Sequence, residues 1–167
     1  RDDHKNGTTR AAEAVTNIDC THVVLIQGDE PLILPDQLST FTSTISAKPE
    51  VDCWNLTSPV SESLELDDKS TVKCAVAEDG RIVYCFRRSP SHAPLANQLT
   101  YMRKIQGLVG FRKASLLSVS AMSPSIIENS EFIEQMRIVN AGSLSFYSVS
   151  SQTSLPSINV VGDDVVV

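Results

Sequence analysis

The stretch His22-Val23-Val24-Leu25-Ile26-Gln27-Gly28-Asp29-Glu30-Pro31 decides how this chain folds. Its first half is apolar and β-branched without polar alternation, the pattern of a strand covered on both faces, and Gly28-Asp29-Glu30-Pro31 stops it. Two carboxylates therefore stand at a strand's C-terminal end. Upstream, Asn6-Gly7 reads as a turn, and Thr8 or Thr9 as the cap of a helix of good helix formers that runs to about Val15. Downstream, Pro35-Asp36 opens a second helix in which Leu38, Phe41 and Ile45 recur at helical spacing until Lys48-Pro49 ends it. Helix, strand and helix in that order predict an α/β sheet.

Residues 52–57 and 72–78 read as further strands joined by a polar connection over 61–69. Asp79-Gly80 before Arg81-Ile82-Val83-Tyr84-Cys85-Phe86 signals a hairpin. The segment 89–97, with Pro90 and Pro94, reads as a loop and a candidate mobile flap. A strand over 104–111 follows, then a short helix over 113–122. A longer helix is expected over 125–141, with Ile126, Ile133 and Met136 on one face and Gly142 as its stop. Strands over 144–149 and 158–161 flank a polar loop. No internal repeat is present, and the mix predicts a three-layer α/β fold with a mostly parallel sheet.

The chain has 167 residues, 41% of them hydrophobic, which suits one domain or most of one. A net charge of −6, with 14 scattered Lys and Arg residues, argues against nucleic acid or an anionic membrane as partner. No apolar run approaches the length of a membrane span, so a soluble protein is expected. Cys20, Cys53, Cys74 and Cys85 are far apart and lie in or beside apolar runs. That placement predicts buried, reduced thiols and a reducing compartment. The opening Arg1-Asp2-Asp3-His4-Lys5-Asn6 is polar and has no initiator Met, so a start within a longer protein, without a targeting peptide, is expected.

Ligands of open α/β folds gather beyond the carboxyl ends of the strands, which makes Asp29 the first candidate ligand for Mg²⁺. The turn before the first helix offers free N–H groups and a positive dipole end to an anion or a carbonyl-rich base. Arg87 and Arg88 follow a strand and have the fork geometry to clamp a carboxylate or phosphate. Glu128, Glu131, Glu134 and Arg137 recur at spacings of three. Each feature also has a structural reading: a common turn, a capped helix, solvated charge, or ordinary helical ion pairs.

Their order is more informative than any one of them. Asp-His-x-x-Gly-Thr-x-Arg-x-x-Glu over 3–13, Gln27-Gly-Asp-Glu-Pro-Leu-Ile33, Val72-Lys73, Tyr84-Cys-Phe-Arg87, Glu128 and Glu134-Gln-Met-Arg137 together resemble the CMP-Kdo synthetase family across nearly the whole chain. The resemblance implies a Rossmann-like nucleotidyltransferase α/β fold, cytoplasmic and usually dimeric. It also implies transfer of CMP from CTP to an acidic 3-deoxy-2-ulosonic sugar, with release of pyrophosphate. By the same resemblance Asp29 binds Mg²⁺, Gly7, Thr8, Arg10 and Gln27 lie near cytosine and ribose, and Arg87, Glu134 and Gln135 face the sugar acid. Asn159 falls at a second metal-ligand position, where its neutral amide predicts weaker metal binding than a carboxylate. Ile105 and Val109 replace a His and a Tyr expected to contact the sugar, which keeps an amino-Kdo or sialic-like acceptor open. A triphosphate-holding strand and loop are expected before Arg1, so these 167 residues are not expected to catalyse alone. A non-catalytic domain that binds nucleotide or a partner is the reading from another class.

Overall fold

The computed structural model describes residue 4 and residues 6–153, so the expected strand over 158–161 and Asn159 lie outside the described residues. The elements are α1 (Gly7–Val15), β1 (His22–Ile26), α2 (Pro35–Ala47), β2 (Cys53–Pro59) and a 3₁₀ turn (Ser63–Leu66). They continue with β3 (Lys73–Val76), β4 (Ile82–Phe86), α3 (Leu95–Tyr101), β5 (Met102–Arg112), α4 (Lys113–Ala121), α5 (Ile126–Glu131), α6 (Met136–Ala141) and β6 (Phe146–Ser150).

The six strands form one mixed sheet in the order β4-β3-β5-β2-β6, with β1 also paired to β5. Four strands, β1, β2, β3 and β6, share a direction, as a largely parallel fold requires. The pairing itself corrects the expectation, because only β2 and β6 are parallel neighbours. β5 runs against its three neighbours and is long enough to hold β2 on one edge and both β1 and β3 on the other. Such non-local insertion leaves no mark on local periodicity.

Alternate residues of the central strands serve opposite faces, as the pleat demands. Cys53, Val109 and Phe111 face a core closed by Ala12 of α1, Leu116 and Val119 of α4, and Met136 and Ile138 of α6. Trp54, Leu56 and Leu108 face a second core closed by Phe41 and Ile45 of α2. Helices thus cover both sides of the sheet. The β3–β4 hairpin turns at Asp79-Gly80, where Gly80 has φ +89°, a backbone region open mainly to glycine.

Three local expectations change. The cap of α1 is Asn6, whose Oδ1 accepts from the Thr9 N–H at 2.9 Å; Thr8 is buried instead. The single helix over 125–141 is two, because Phe132 adopts a left-handed conformation (φ +54°) that ends α5 and leaves Ile126 on the surface. The segment 89–97 is not all loop, since α3 begins at Leu95, and side chains tie its earlier part to that helix. Ser89 Oγ donates to Gln98 Oε1 at 2.6 Å, Gln98 Nε2 to the Ala93 carbonyl at 2.6 Å, and Tyr101 Oη to Ser91 Oγ at 3.0 Å.

The thiol expectation agrees with the structure for three of the four cysteines, Cys20 being only partly buried. All four cysteines are free, and Cys53, Cys74 and Cys85 are buried. Burial pushes the Cys74 thiol up to about 12, far from a reactive thiolate. Among the described residues no helix is long and apolar enough to cross a membrane.

Candidate active site

β1 delivers Gln27-Gly28-Asp29 to one rim of the sheet, and the N-terminal turn of α1 lies beside it. Gly7, Arg10, Ala11, Gln27, Gly28 and Asp29 line an open groove of about 490 Å³, within the size range of small-molecule sites. The Asp29 carboxylate makes no hydrogen bond or ion pair to a described residue. Its neighbour Glu30 turns inward, accepting the Gly107 N–H at 2.7 Å. Burial pushes the Glu30 carboxyl above its usual range; the Gly107 N–H opposes this and the Asp29 charge adds to it.

A much smaller cavity, of only about 10 Å³, adjoins the groove. Thr8, Gln27, Glu134 and Gln135 supply its polar wall, and Leu25, Val109, Phe111, Val119 and Ile138 its apolar one. Leu25 and Gln27 line both spaces, so groove and cavity meet at the end of β1. Gln135 Nε2 reaches Asn55 Oδ1 at 3.4 Å. Of the two strand positions singled out by the resemblance, only Val109 faces the cavity; Ile105 packs against the core.

Glu134 is the most unusual group here. Its Oε1 is buried and makes no hydrogen bond to a described residue. Burial pushes its carboxyl up, against the opposing pull of the Thr8 hydroxyl and the Arg137 charge. A raised pKa in the folded state means that ionised Glu134 costs stability, and that the cost grows as pH rises through the folded value. Glu134→Gln is therefore expected to stabilise the chain by about 1–2 kcal/mol at pH 7, the scale of one unmet buried polar group. Thermal unfolding followed by Trp54 fluorescence should show Tm higher by about 3–6 °C at pH 7, with the difference fading towards pH 4 as both states protonate.

The structure gathers Gly7, Thr8, Arg10, Gln27, Asp29, Glu134 and Gln135 around the joined spaces. Arg87 stands apart from them. Its Nε donates to the Glu131 carbonyl at 3.0 Å, Nη2 to the Phe132 carbonyl at 3.1 Å and Nη1 to the Lys69 carbonyl at 2.7 Å. It braces the left-handed turn from which Glu134 and Gln135 begin. Arg88 forms an exposed two-point pair with Asp67, at 2.8 Å for each bond. Glu128 and Arg137 form a buried ion pair belonging to the fold, with Arg137 Nε 2.9 Å from Glu128 Oε2. The family-like Asp-His…Glu spacing resolves in part into a His4–Glu13 hydrogen bond that ties the entering chain to α1.

Sequence reasoning assigned no separate part to Glu30 or Asn55. Adjacent carboxylates at a strand end were a visible signal for Glu30, whereas nothing local marks Asn55.

The family model described as cytidylyltransferase matches residues 1–148. A 3-deoxy-manno-octulosonate cytidylyltransferase of Acidobacterium capsulatum is 34% identical over 142 residues, covering 84% of this chain and 57% of that protein. The Escherichia coli protein of the same name is 32% identical over 143 residues, covering 85% and 57%. A solved structure described as CMP:2-keto-3-deoxy-manno-octonic acid synthetase complexed with CTP superposes with a TM-score of 0.85 at 27% identity, covering 96% of this chain and 65% of that one. The chain thus spans little more than half the length of the two named relatives, and with the match running over residues 1–148 it belongs to the cytidylyltransferase family.

Proposed function

We propose that the full-length protein transfers CMP from CTP to a 3-deoxy-2-ulosonic acid sugar, Kdo or a close relative, for surface polysaccharide or lipopolysaccharide synthesis. The observation that carries this reading is the junction at Leu25 and Gln27. It joins an open groove bearing an unengaged carboxylate to a cavity with a half-polar lining. A nucleotide in the groove would lie beside Asp29, and a sugar at the junction would reach the polar wall of the cavity, whose own volume of about 10 Å³ holds no more than a water. The CTP complex of the similar solved structure supports the choice of nucleotide.

In this reading the N-terminal turn of α1 at Gly7, together with Arg10, holds cytosine and ribose, while buried Thr8 faces the cavity beside Glu134 and Gln27 bridges the two ligands. Glu134 accepts from sugar hydroxyls with the oxygen that has no donor among the described residues, and Gln135 lies beside it. Arg87, apart from the cavity, acts in this reading through the turn that carries Glu134 and Gln135, whose Glu131 and Phe132 carbonyls it holds. The sugar hydroxyl oxygen attacks the α-phosphorus as its proton passes to water, the bond to the bridging oxygen breaks, and pyrophosphate leaves.

Asp29 offers the one unengaged carboxylate on the groove, a donor set that fits Mg²⁺, which takes one or two carboxylates and fills its shell with phosphate and water. Bound there, Mg²⁺ supplies charge neutralisation at the phosphate and acidifies the attacking hydroxyl. Asn159 is the proposed second, uncharged ligand. Val109 gives the cavity an apolar wall, which favours keeping an amino- or acylamino-substituted acid sugar beside Kdo as acceptor. Three buried, unpaired thiols suit the cytoplasm, and exposed Ile126 and Phe132 are apolar surface available to a homodimer.

The test is pyrophosphate release by the full-length protein from CTP and Mg²⁺ with Kdo, an amino-Kdo and a sialic acid, against a sugar 1-phosphate. Release with CTP and one acid sugar is expected. Release with the sugar 1-phosphate alone, or with none of them, would contradict the reading.

A further inference from the structure

β5 carries extra chain where it faces β2. Asn55 is opposite Val109 and Thr57 opposite Ile105, so Gln106, Gly107 and Leu108 share the single facing residue Leu56. A bulge of this kind takes backbone groups off the ladder, and buried ones need other partners. Here each partner is identifiable. Asn55 Nδ2 donates to the Gln106 carbonyl at 2.7 Å and lies 3.4 Å from that of Leu108. The Gly107 carbonyl accepts the Gln27 N–H at 2.8 Å, extending the β1 ladder by one residue.

The Gly107 N–H has no strand left to pair with, because the chain turns away at Gly28. Glu30 fills that place, its Oε1 accepting the N–H at 2.7 Å, while its own N–H closes the turn on the Gln27 carbonyl at 3.2 Å. Fit as well as bonding requires glycine there. A Cβ on residue 107 would lie 2.5 Å from Glu30 Cγ and 3.0 Å from Gln27 Cβ. The turn carrying Gln27 and Asp29 is thus clamped to β5 by both backbone groups of one residue.

We propose that Glu30 is a positioning residue. Its bond to the Gly107 N–H fixes the 27–30 turn so that Gln27 and the Asp29 carboxylate meet at the junction of groove and cavity. The inference rests on the proposed transferase reading for its catalytic consequence, but its structural half stands independently. Asp29 makes no hydrogen bond to a described residue, so its direction is set by the backbone that bears it. Among the described residues of the turn, Glu30 is the one whose side chain bonds to β5.

The test compares Glu30→Ala and Glu30→Gln in the full-length protein by three readouts: amide hydrogen exchange at Gly107, Tm, and steady-state pyrophosphate release from CTP. In Glu30→Ala the Gly107 amide should exchange about tenfold faster or more. Its kcat should fall about 10- to 100-fold, as for a misplaced reacting group, with the KM for CTP within about threefold of wild type. Glu30→Gln, which keeps an acceptor oxygen, should recover most of the protection and most of kcat. Wild-type kcat in a folded Glu30→Ala whose Gly107 amide is exposed would reduce the bond to a structural one and overturn the proposal. Unchanged exchange at Gly107 would overturn it as well. Should Glu30→Ala not fold, Glu30→Asp, one methylene short of Gly107, carries the same expectations. If the wild-type protein turns over no acid sugar, the transferase reading fails on its own. Glu30 is then judged by Gly107 exchange and by calorimetric binding of CTP with Mg²⁺, where a Glu30→Ala protein equal to wild type in both would sink it.

Discussion

Asp29→Ala should lower kcat/KM for CTP-dependent pyrophosphate release by about 10²–10³-fold, the usual cost of deleting one preorganised electrostatic group at a reacting centre. Stability should hardly change. The carboxylate makes no hydrogen bond or ion pair to a described residue and lines an open groove, so its removal leaves no partner unmet. Thermal unfolding should stay within about 0.5 kcal/mol of wild type, as for other surface substitutions. This contrast separates a functional carboxylate from a structural one. A variant that keeps full turnover would move the reaction centre away from the end of β1, and one that loses both turnover and fold would make Asp29 part of the scaffold.

Arg137→Ala should produce the opposite profile, a large loss of stability from a residue outside the groove. Arg137 and Glu128 face each other while buried, their side chains 6% and 10% exposed, so deleting the arginine strands a carboxylate away from water. Breaking such a pair from one side costs about 3–5 kcal/mol, which lowers Tm by about 10 °C for a chain of this size. Glu128 also accepts the Ser125 N–H and so caps α5. For that reason the double variant Glu128→Leu/Arg137→Met should recover most of the loss but keep a deficit of about 1 kcal/mol from the missing cap. Urea unfolding of the two single variants and the double variant measures the coupling directly. A single Arg137→Ala variant within 1 kcal/mol of wild type would show that the pair is hydrated in solution.

These two residues also show which parts of the molecule were legible beforehand. Strand β1, its stop at Gly28, the helix opened by Pro35 and the Asp79-Gly80 hairpin all rest on local rules, and the structure places them within a residue or two of expectation. Phe132 escaped because neither glycine nor proline marks the break between α5 and α6. The left-handed turn is held instead by Arg87, which comes from β4's end, 44 and 45 positions earlier in the chain. The antiparallel insertion of β5 depends on pairing partners far apart in sequence, which periodicity does not encode. Within the site, Gln27, Asp29, Glu134 and Gln135 were visible as a motif order. The division of work between adjacent Asp29 and Glu30 was not, because Glu30 turns inward only by virtue of Gly107, 77 positions away.

Locating CTP on the full-length protein, by crystallography of the Mg²⁺–CTP complex, tests the central claim most directly. The account predicts the nucleotide in the groove, with its base and ribose against Gly7 and Arg10, its α-phosphate beside Asp29, and Gln27 between it and the Glu134 cavity. Nucleotide seated elsewhere, for instance in the hollow beside Cys20, Arg112 and Lys113 on the far end of β1, would contradict it.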